Sequence, residues 1–230
     1  MDIEQHILFI ANTKCKLFAT DNPKVLLIQP SARHEEKGDG ISREVGMIAE
    51  HAKEGFALLV FDTEEWALSL MPWHDEAVAR DEEVGRHAHD TLRLIEHDIL
   101  PWLQVRFGYL PCIIGGYSLG GLFALWAARE SKIFDAVAAA SPSLWIKKWG
   151  EYASTHPICA KYVYLSLGDR EEHCRNQRMR QIGDCVREEH LLLSHATMLE
   201  ATTLVWHPGG HFEQEAERTA QAFTWCIDRL

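Results

Sequence analysis

The chain has 230 residues, 47% of them hydrophobic, which suits one domain with a sizeable core spanning residues 1–230. It has 34 acidic residues against 23 lysines and arginines, for a formal net charge of -11 at pH 7. A surface that binds nucleic acid needs clustered lysine and arginine, and here these residues are dispersed among acidic ones. No apolar run approaches the ~20 residues of a membrane span, and the first residues lack the pattern of a signal peptide. We therefore expect a soluble cytoplasmic protein with no nucleic-acid or membrane partner.

Six cysteines are spread along the chain without any C-x-x-C pair, at positions 15, 112, 159, 174, 185 and 226. This usage is typical of a reducing compartment. One segment is richer in possible metal ligands, namely His173, Cys174, Cys185, His190 and His195. Because their spacings match no familiar zinc signature, we expect no metal site and no other cofactor.

Short apolar runs alternate with helical stretches, which predicts an α/β fold with a mostly parallel central sheet covered by helices on both faces. The predicted strands are 6–11, 14–19, Val25–Ile28, Phe56–Phe61, Ile113–Tyr117, Ala136–Ala140, Tyr162–Leu167 and Thr203–Trp206. The first two form a hairpin around Asn12 and Thr13, and Pro30 is expected to end the third. The main predicted helices are 42–53, 82–104, one directly after Ser118, and 213–228. A polar loop is expected at Ser31–Gly40, after the third strand, and a long loop at 62–81, after the fourth.

One serine lies in a G-x-S-x-G pattern between a predicted strand and a predicted helix, with Gly116, Ser118 and Gly120 at its defining positions. A serine at the tip of a sharp strand-to-helix turn needs neighbours without bulk, because the backbone there passes close to itself. The amides and the positive dipole end of the following helix would face an oxyanion formed beside the serine. Ser118 is therefore a candidate nucleophile.

A serine nucleophile needs an imidazole to take its proton and an acid to orient that imidazole. His211 follows the last predicted strand through a flexible Pro-Gly-Gly turn, at the sheet edge expected for Ser118; His207, on the strand end, is its rival. For the acid, Glu171 is our first choice, with Asp169 and then Glu172 as alternatives. The chain order serine, acid, histidine is the one that this turn-mounted arrangement requires.

Four stretches together resemble the esterase group of the α/β-hydrolase superfamily that includes esterase D-like enzymes, S-formylglutathione hydrolases and enterochelin-type esterases. They are Gly-Gly-Tyr-Ser-Leu-Gly-Gly (115–121), Ala-Ser-Pro-Ser-Leu-Trp (140–145), the acid turn from Gly168 to Glu171, and Gly-Gly-His-Phe (209–212). The resemblance spans the second half of the chain, and the first half matches only in its strand rhythm. It implies an α/β-hydrolase fold with Ser118 as nucleophile, Glu171 as acid and His211 as base.

The same resemblance implies an oxyanion hole formed by the amide of Leu119 and a second amide after the Val25–Ile28 strand. Many relatives have Asp-Gly or His-Gly there, whereas this chain has Gln29-Pro30-Ser31, and a proline has no N–H to donate. We expect Ser31 to be the second donor, with Ala32 as the alternative.

Two tryptophans are candidates for the wall of the substrate pocket, Trp145 after the Ala136–Ala140 strand and Trp73 in the long loop, where Trp66 is placed similarly. About twenty residues separate Ser141 from the next strand, too few for a large helical lid, so we expect an open site.

These features favour a serine ester hydrolase acting through an acyl-enzyme on a small or medium carboxylic ester or thioester. An acyltransferase using the same residues and a noncatalytic binding protein on a hydrolase scaffold are the alternatives. The sequence does not predict the oligomeric state.

Overall fold

The computed structural model describes residues 1–32 and 40–230. In these ranges the chain forms one sheet of eight strands in the order β1-β2-β4-β3-β5-β6-β7-β8. The strands are Glu4–Ile10 (β1), Thr13–Ala19 (β2), Val25–Ala32 (β3), Phe56–Thr63 (β4), Cys112–Tyr117 (β5), Ala136–Ala140 (β6), Tyr162–Gly168 (β7) and Ala201–His207 (β8). β1 and β2 pair antiparallel to each other, β2 pairs antiparallel to β4, and the remaining pairs are parallel. The mostly parallel sheet is thus confirmed, with every predicted strand present.

The α-helices of the described chain are Gly40–His51 (α1), Trp66–Leu70 (α2), Ala88–Leu94 (α3), Leu100–Phe107 (α4), Leu119–Glu130 (α5), Trp149–Thr155 (α6), Ile182–Ser194 (α7) and Glu215–Ile227 (α8). α1 and α8 cover one face of the sheet, where Ile48 and Phe223 pack with Leu27. α3, α4, α5 and α7 cover the other face, where Phe123 and Leu103 lie in the larger core. Both faces are therefore buried, as a parallel sheet requires.

The prediction that Pro30 ends the third strand is wrong, because β3 continues two residues past it. The amide of Leu26 donates to the carbonyl of Pro111, so alternate residues from Leu26 onward, including Pro30, direct their backbone toward β5. β3 pairs with β5 only as far as Ile28. At Pro30 no ladder bond on that side needs an N–H, and the strand continues along β4 alone.

The predicted helix over 82–104 begins later and ends later, running from Ala88 to Phe107. Its middle, Ile95–Ile99, is a π-helical segment that precedes Pro101. A proline inside a helix cannot donate to the carbonyl four residues earlier and its ring crowds that carbonyl, and a local π segment is a known way to accommodate this. The hydrophobic periodicity predicted the helix but not its start.

Three loop predictions also need correction. The hairpin turn is formed by Ala11 and Asn12, both with positive φ, and not by Asn12 and Thr13. The long loop over 62–81 contains the short helix α2. Of the polar loop Ser31–Gly40, the first two residues belong to β3 and Gly40 begins α1, while 33–39 lie outside the described residues. No helix in the described part of the chain is both long and apolar enough to cross a membrane.

The parallel strands position the candidate site. Ser118 directly follows β5, Glu171 follows β7 and His211 follows β8. Because the carboxyl ends of parallel strands meet at one edge of a sheet, residues far apart in sequence come together there.

Close packing between β5 and α8 predicts a strong effect of a small substitution. A Cβ at Gly115 would lie 2.6 Å from the ring of Phe223 and 2.8 Å from the carbonyl oxygen of Ala138. We expect Gly115→Ala to lower the free energy of unfolding by about 1–3 kcal/mol, measured by urea denaturation. Gly150→Ala is the control, since Gly150 is exposed in α6 with open space at its Cβ, and we expect no loss there. Equal stability of the two variants would contradict this packing.

Candidate active site

Ser118 lies on a strained turn between β5 and α5, with φ 57° and ψ −117°. Such a backbone conformation costs a non-glycine residue about 1–3 kcal/mol and persists only where its surroundings hold it. The glycines of the motif make the turn possible, because a Cβ at Gly116 would be 3.0 Å from the carbonyl carbon of Gly120. A Cβ at Gly121 would be 3.1 Å from the carbonyl oxygen of Gly116. The motif therefore has a steric cause here.

A hydrogen-bonded chain joins Ser118 to His211 and then to Glu171. His211 Nε2 is 2.9 Å from Ser118 Oγ, and His211 Nδ1 is 2.7 Å from Glu171 Oε2. A carboxylate only accepts, so Nδ1 donates to Glu171 and Nε2 is free to accept from the serine hydroxyl. The imidazole is 22% exposed, whereas the carboxylate is 3% exposed. The arrangement can draw a proton from Ser118 toward a partly exposed base backed by a buried anion.

The other carboxylate oxygen of Glu171 is fully used. Oε1 accepts from the amide of Gly168 at 2.8 Å, from Ser141 Oγ at 2.9 Å and from Arg218 Nη1 at 2.9 Å. Burial by itself raises the pKa of Glu171, but the hydrogen bond and charge of His211 together with the bonds from Gly168 and Ser141 hold that pKa below its ordinary value. Glu171 therefore stays ionised beside the imidazole.

Arg218 is a buried part of this site that the sequence analysis did not identify. Its side chain is 0% exposed, and Nη1 also donates to the hydroxyl of Tyr117 at 3.1 Å. Nη2 donates to the carbonyl oxygens of Pro208 and Gly210, in the turn that leads to His211. One guanidinium thus contacts Glu171, the turn that leads to His211, and the strand that leads to Ser118. An arginine in an amphipathic helix gives no sequence signal for such a role.

The rival residues contact other partners. Asp169 Oδ1 accepts from the amide of Gly209 at 2.9 Å, and Glu172 pairs with Arg187. His207 Nε2 lies 3.4 Å from the hydroxyl of Tyr164. Burial, with the charge of Arg218, lowers the pKa of His207, and Glu171 partly opposes that shift. None of these three side chains joins the chain of contacts that includes Ser118.

Ser143 is a second residue with no role predicted from the sequence, although it lies in the stretch 140–145 that resembles the esterase group. Its amide donates to the carbonyl oxygen of Ser118 at 3.1 Å, and its Oγ is 3.2 Å from Ser118 Oγ. Ser143 therefore fixes both the backbone and the hydroxyl of Ser118.

A cavity of about 590 Å³ opens beside Ser118. Its lining includes the site residues and Leu119 together with an apolar wall made of Pro30, Trp66, Val78, Trp145, Met179 and Ile182. Phe212, next to His211, is 85% exposed at its rim. The connection from β6 to β7 holds only the seven-residue helix α6, in keeping with the open site expected from its length. Within the described ranges, no group of three or more His, Cys, Asp or Glu side chains is placed to hold a metal ion.

Two predicted residues lie outside this cavity. Ser31 is buried in β3, where its carbonyl oxygen accepts from Thr63 Oγ1 of β4, so its backbone groups face β4 and not Ser118. Trp73 packs on Trp149 and donates from Nε1 to the carbonyl oxygen of Lys147 at 2.8 Å. Trp145 and Trp66 line the cavity, whereas Trp73, expected in its wall, and Ser31, expected as an oxyanion donor, do not. The extension of β3 past Pro30 places Ser31 inside the sheet.

Comparison with known proteins identifies the family. Residues 43–214 match the family described as "Putative esterase". The chain belongs to this esterase family. A search of curated proteins finds no significant match.

Solved structures share the fold at low sequence identity. The siderophore hydrolase EstB from Aspergillus nidulans is 18% identical, with a TM-score of 0.73 over 99% of this chain and 95% of that one. An IroE-like serine hydrolase from Shewanella oneidensis is 11% identical, with a TM-score of 0.78 over 98% of this chain and 80% of that one. The enterobactin esterase FES from Shigella flexneri is 16% identical, with a TM-score of 0.64 over 99% of this chain and 59% of that one. The fold is that of the α/β-hydrolases, and the family makes the chain a hydrolase whose activity class is ester hydrolysis.

The lowered pKa of Glu171 predicts a pH-dependent contribution to stability. A carboxyl whose pKa is lower in the folded state stabilises the fold above its ordinary value of 4.5, and this contribution is lost as the pH falls through the folded pKa. We expect the wild type to exceed Glu171→Gln in free energy of unfolding at pH 7, because Gln leaves buried Arg218 without its counter-ion. The difference should shrink on acidification below pH 4.5.

Urea unfolding at several pH values checks this expectation. Glu172→Gln is the matched control, since the neighbouring carboxylate is 24% exposed and pairs with a partly exposed arginine, and we expect a smaller loss. A difference between wild type and Glu171→Gln that grew on acidification would contradict the proposed cause.

Proposed function

We propose that this protein is a serine ester hydrolase that acts through an acyl-enzyme, with Ser118 as nucleophile, His211 as general base and Glu171 as the acid that orients His211. The observation that supports this most is the continuous chain of contacts from Ser118 Oγ through both nitrogens of His211 to Glu171. In the first step Ser118 Oγ attacks the ester carbonyl while His211 Nε2 takes the serine proton.

The ionised Glu171 keeps the proton on Nδ1 and stabilises the imidazolium that forms. His211 then gives its proton to the leaving alcohol, and the acyl group remains on Ser118. A water molecule, deprotonated by the same histidine, attacks the acyl-enzyme and releases the acid. Every step uses residues that already contact one another, so little reorganisation is needed.

The oxyanion formed in each step requires donors beside Ser118. We propose the amide of Leu119 as one donor, because Leu119 is the first residue of α5 and first-turn amides have no acceptor within their helix. The N-terminal end of α5 adds a positive electrostatic potential at the same place. Ser31 is not part of this proposal, since its backbone faces β4.

The substrate class follows from the cavity. Its volume of about 590 Å³ and its apolar wall suit a small or medium ester with one apolar arm. Related structures are named as siderophore hydrolases and enterobactin esterases, so an ester of a catechol siderophore belongs among the substrates to be tested. We propose screening p-nitrophenyl esters of graded chain length beside a formyl thioester and such a siderophore ester.

Loss of the nucleophile should abolish turnover without unfolding the protein. We expect Ser118→Ala to lower kcat for a p-nitrophenyl ester by on the order of 10³-fold or more, and to remove labelling by a fluorophosphonate probe. Ser154→Ala is the matched control, because it removes an exposed hydroxyl of α6 that bonds to the carbonyl oxygen of Glu151, and it should keep the wild-type kcat. A noncatalytic binding protein would show no labelling of the wild type, and that outcome would overturn the proposal.

Substitution of His211 and substitution of His207 should have very different effects on activity. His211→Gln should lose activity on the order of 10³-fold or more, since it removes the base. His207→Gln should keep the wild-type pH profile of kcat/KM, with a modest drop in rate, because the lowered pKa of His207 keeps that ring neutral and it contacts Tyr164. An inactive His207→Gln beside an active His211→Gln would reverse the assignment.

A further inference from the structure

Asp75 is a buried carboxylate outside the chain of contacts at Ser118, with its side chain 1% exposed. Oδ1 accepts from the amide of Ala77 at 3.0 Å and from Arg178 Nη1 at 2.8 Å. Oδ2 accepts from the amide of Lys147 at 2.7 Å and from Arg178 Nη2. The pair is a two-pronged contact between guanidinium and carboxylate, the geometry in which arginine binds most specifically. All four acceptor positions of the buried carboxylate are thus occupied.

These contacts join three segments that each contribute to the cavity wall. The segment of Asp75 contributes Val78, and the segment of Arg178 contributes Met179. The segment of Lys147 contributes Trp145. The three segments are separated along the chain by about 70 and 30 residues, since Asp75 bonds to partners 72 and 103 positions away. A single buried carboxylate therefore ties together the apolar side of the cavity.

The guanidinium of Arg178 also lies over the ring of Trp145, 5.9 Å from its centroid. A cation above an indole face is an attractive contact that orients the ring. Trp73 adds a second tie to the same loop through its bond to the carbonyl oxygen of Lys147. On the other side, Gly85, with φ +100°, packs directly against the backbone of Trp73, which holds the Asp75 segment in place.

We propose that Asp75 and Arg178 are positioning residues that hold Trp145 against the apolar arm of the ester and thereby set which chain lengths are accepted. This inference rests on the proposed ester hydrolase function and specifies the part of the cavity that selects the substrate. Neither residue bonds to Ser118, His211 or Glu171. The pair should therefore affect which substrates are accepted and not the chemistry at Ser118.

Substitution of Arg178 should lower kcat/KM for long-chain esters more than for short-chain esters. We expect Arg178→Met to lower kcat/KM for a p-nitrophenyl octanoate ester by about 10-fold or more, mainly through KM, and for the acetate ester by less than about 3-fold. Arg178→Lys keeps the positive charge but loses the two-pronged contact with Asp75. It should therefore retain only part of the wild-type preference between long and short esters. A parallel series of acetate esters with alcohols of graded length covers an apolar arm on the alcohol side. Asp75→Asn should change kcat/KM for long and short esters in the same way as Arg178→Met.

Two controls separate positioning from general damage. Arg175→Met removes an exposed arginine from the same segment and should leave both chain-length series unchanged. In a Trp145→Ala background, Arg178→Met should change discrimination no further, because the guanidinium acts through the indole ring. Urea unfolding of each variant reports lost stability separately from the chain-length ratio.

The outcomes are distinct. Variants that retain acetate turnover but treat long and short esters in the wild-type ratio in both series would overturn this inference and leave the proposed function intact. An equal effect of Arg178→Met with and without Trp145 would also overturn it. A wild type that hydrolyses no ester and takes no fluorophosphonate label would overturn the proposed function, and this inference with it.

Discussion

The buried contact between Arg218 and Glu171 is the constraint on which the site depends. The guanidinium and the carboxylate are 0% and 3% exposed, so water cannot solvate either charge. Each is instead surrounded by partners, and the same guanidinium bonds to the carbonyl oxygens of the turn before His211. A displacement of that turn would leave a buried charge with fewer partners. The distance between Glu171 and His211 is therefore fixed by the cost of breaking this network.

Ser118 is fixed by a different means, which is backbone geometry. The turn at Ser118 has an unfavourable backbone conformation that only the tight packing of the flanking glycines and of β5 allows. The amide of Ser143 donates to the carbonyl oxygen of Ser118, and the amide of Ser118 donates to the carbonyl oxygen of Ala140. The serine hydroxyl is thus held beside His211 by backbone bonds, and the histidine by a buried side-chain network. The two supports are joined by the bond between Ser118 and His211 and by Arg218, whose Nη1 donates to the hydroxyl of Tyr117 beside Ser118.

The sequence predicts the parts of this protein that depend on local pattern. Apolar runs located all the strands, and the spacing around Ser118 and His211 located residues that the structure brings within hydrogen-bond distance. The errors arose where a long-range partner decides the outcome. Pro30 continues its strand because β5 has already ended beside it, and Ser31 faces β4 as a consequence. Arg218 and Asp75 were not identified because their charged partners, Glu171 and Arg178, are 47 and 103 positions away along the chain.

Two ion pairs, each built on a buried carboxylate, support different sides of the cavity. Arg218 with Glu171 holds the side where His211 acts, and Arg178 with Asp75 holds the side where Trp145 lies. The two pairs share no residue, and within the described ranges no hydrogen bond joins one pair directly to the other. For sites without shared partners, effects of substitution are close to additive. The apolar wall can therefore vary in shape without disturbing the geometry around Ser118. Under the proposed function, one arrangement of Ser118 and His211 would then serve esters of different sizes.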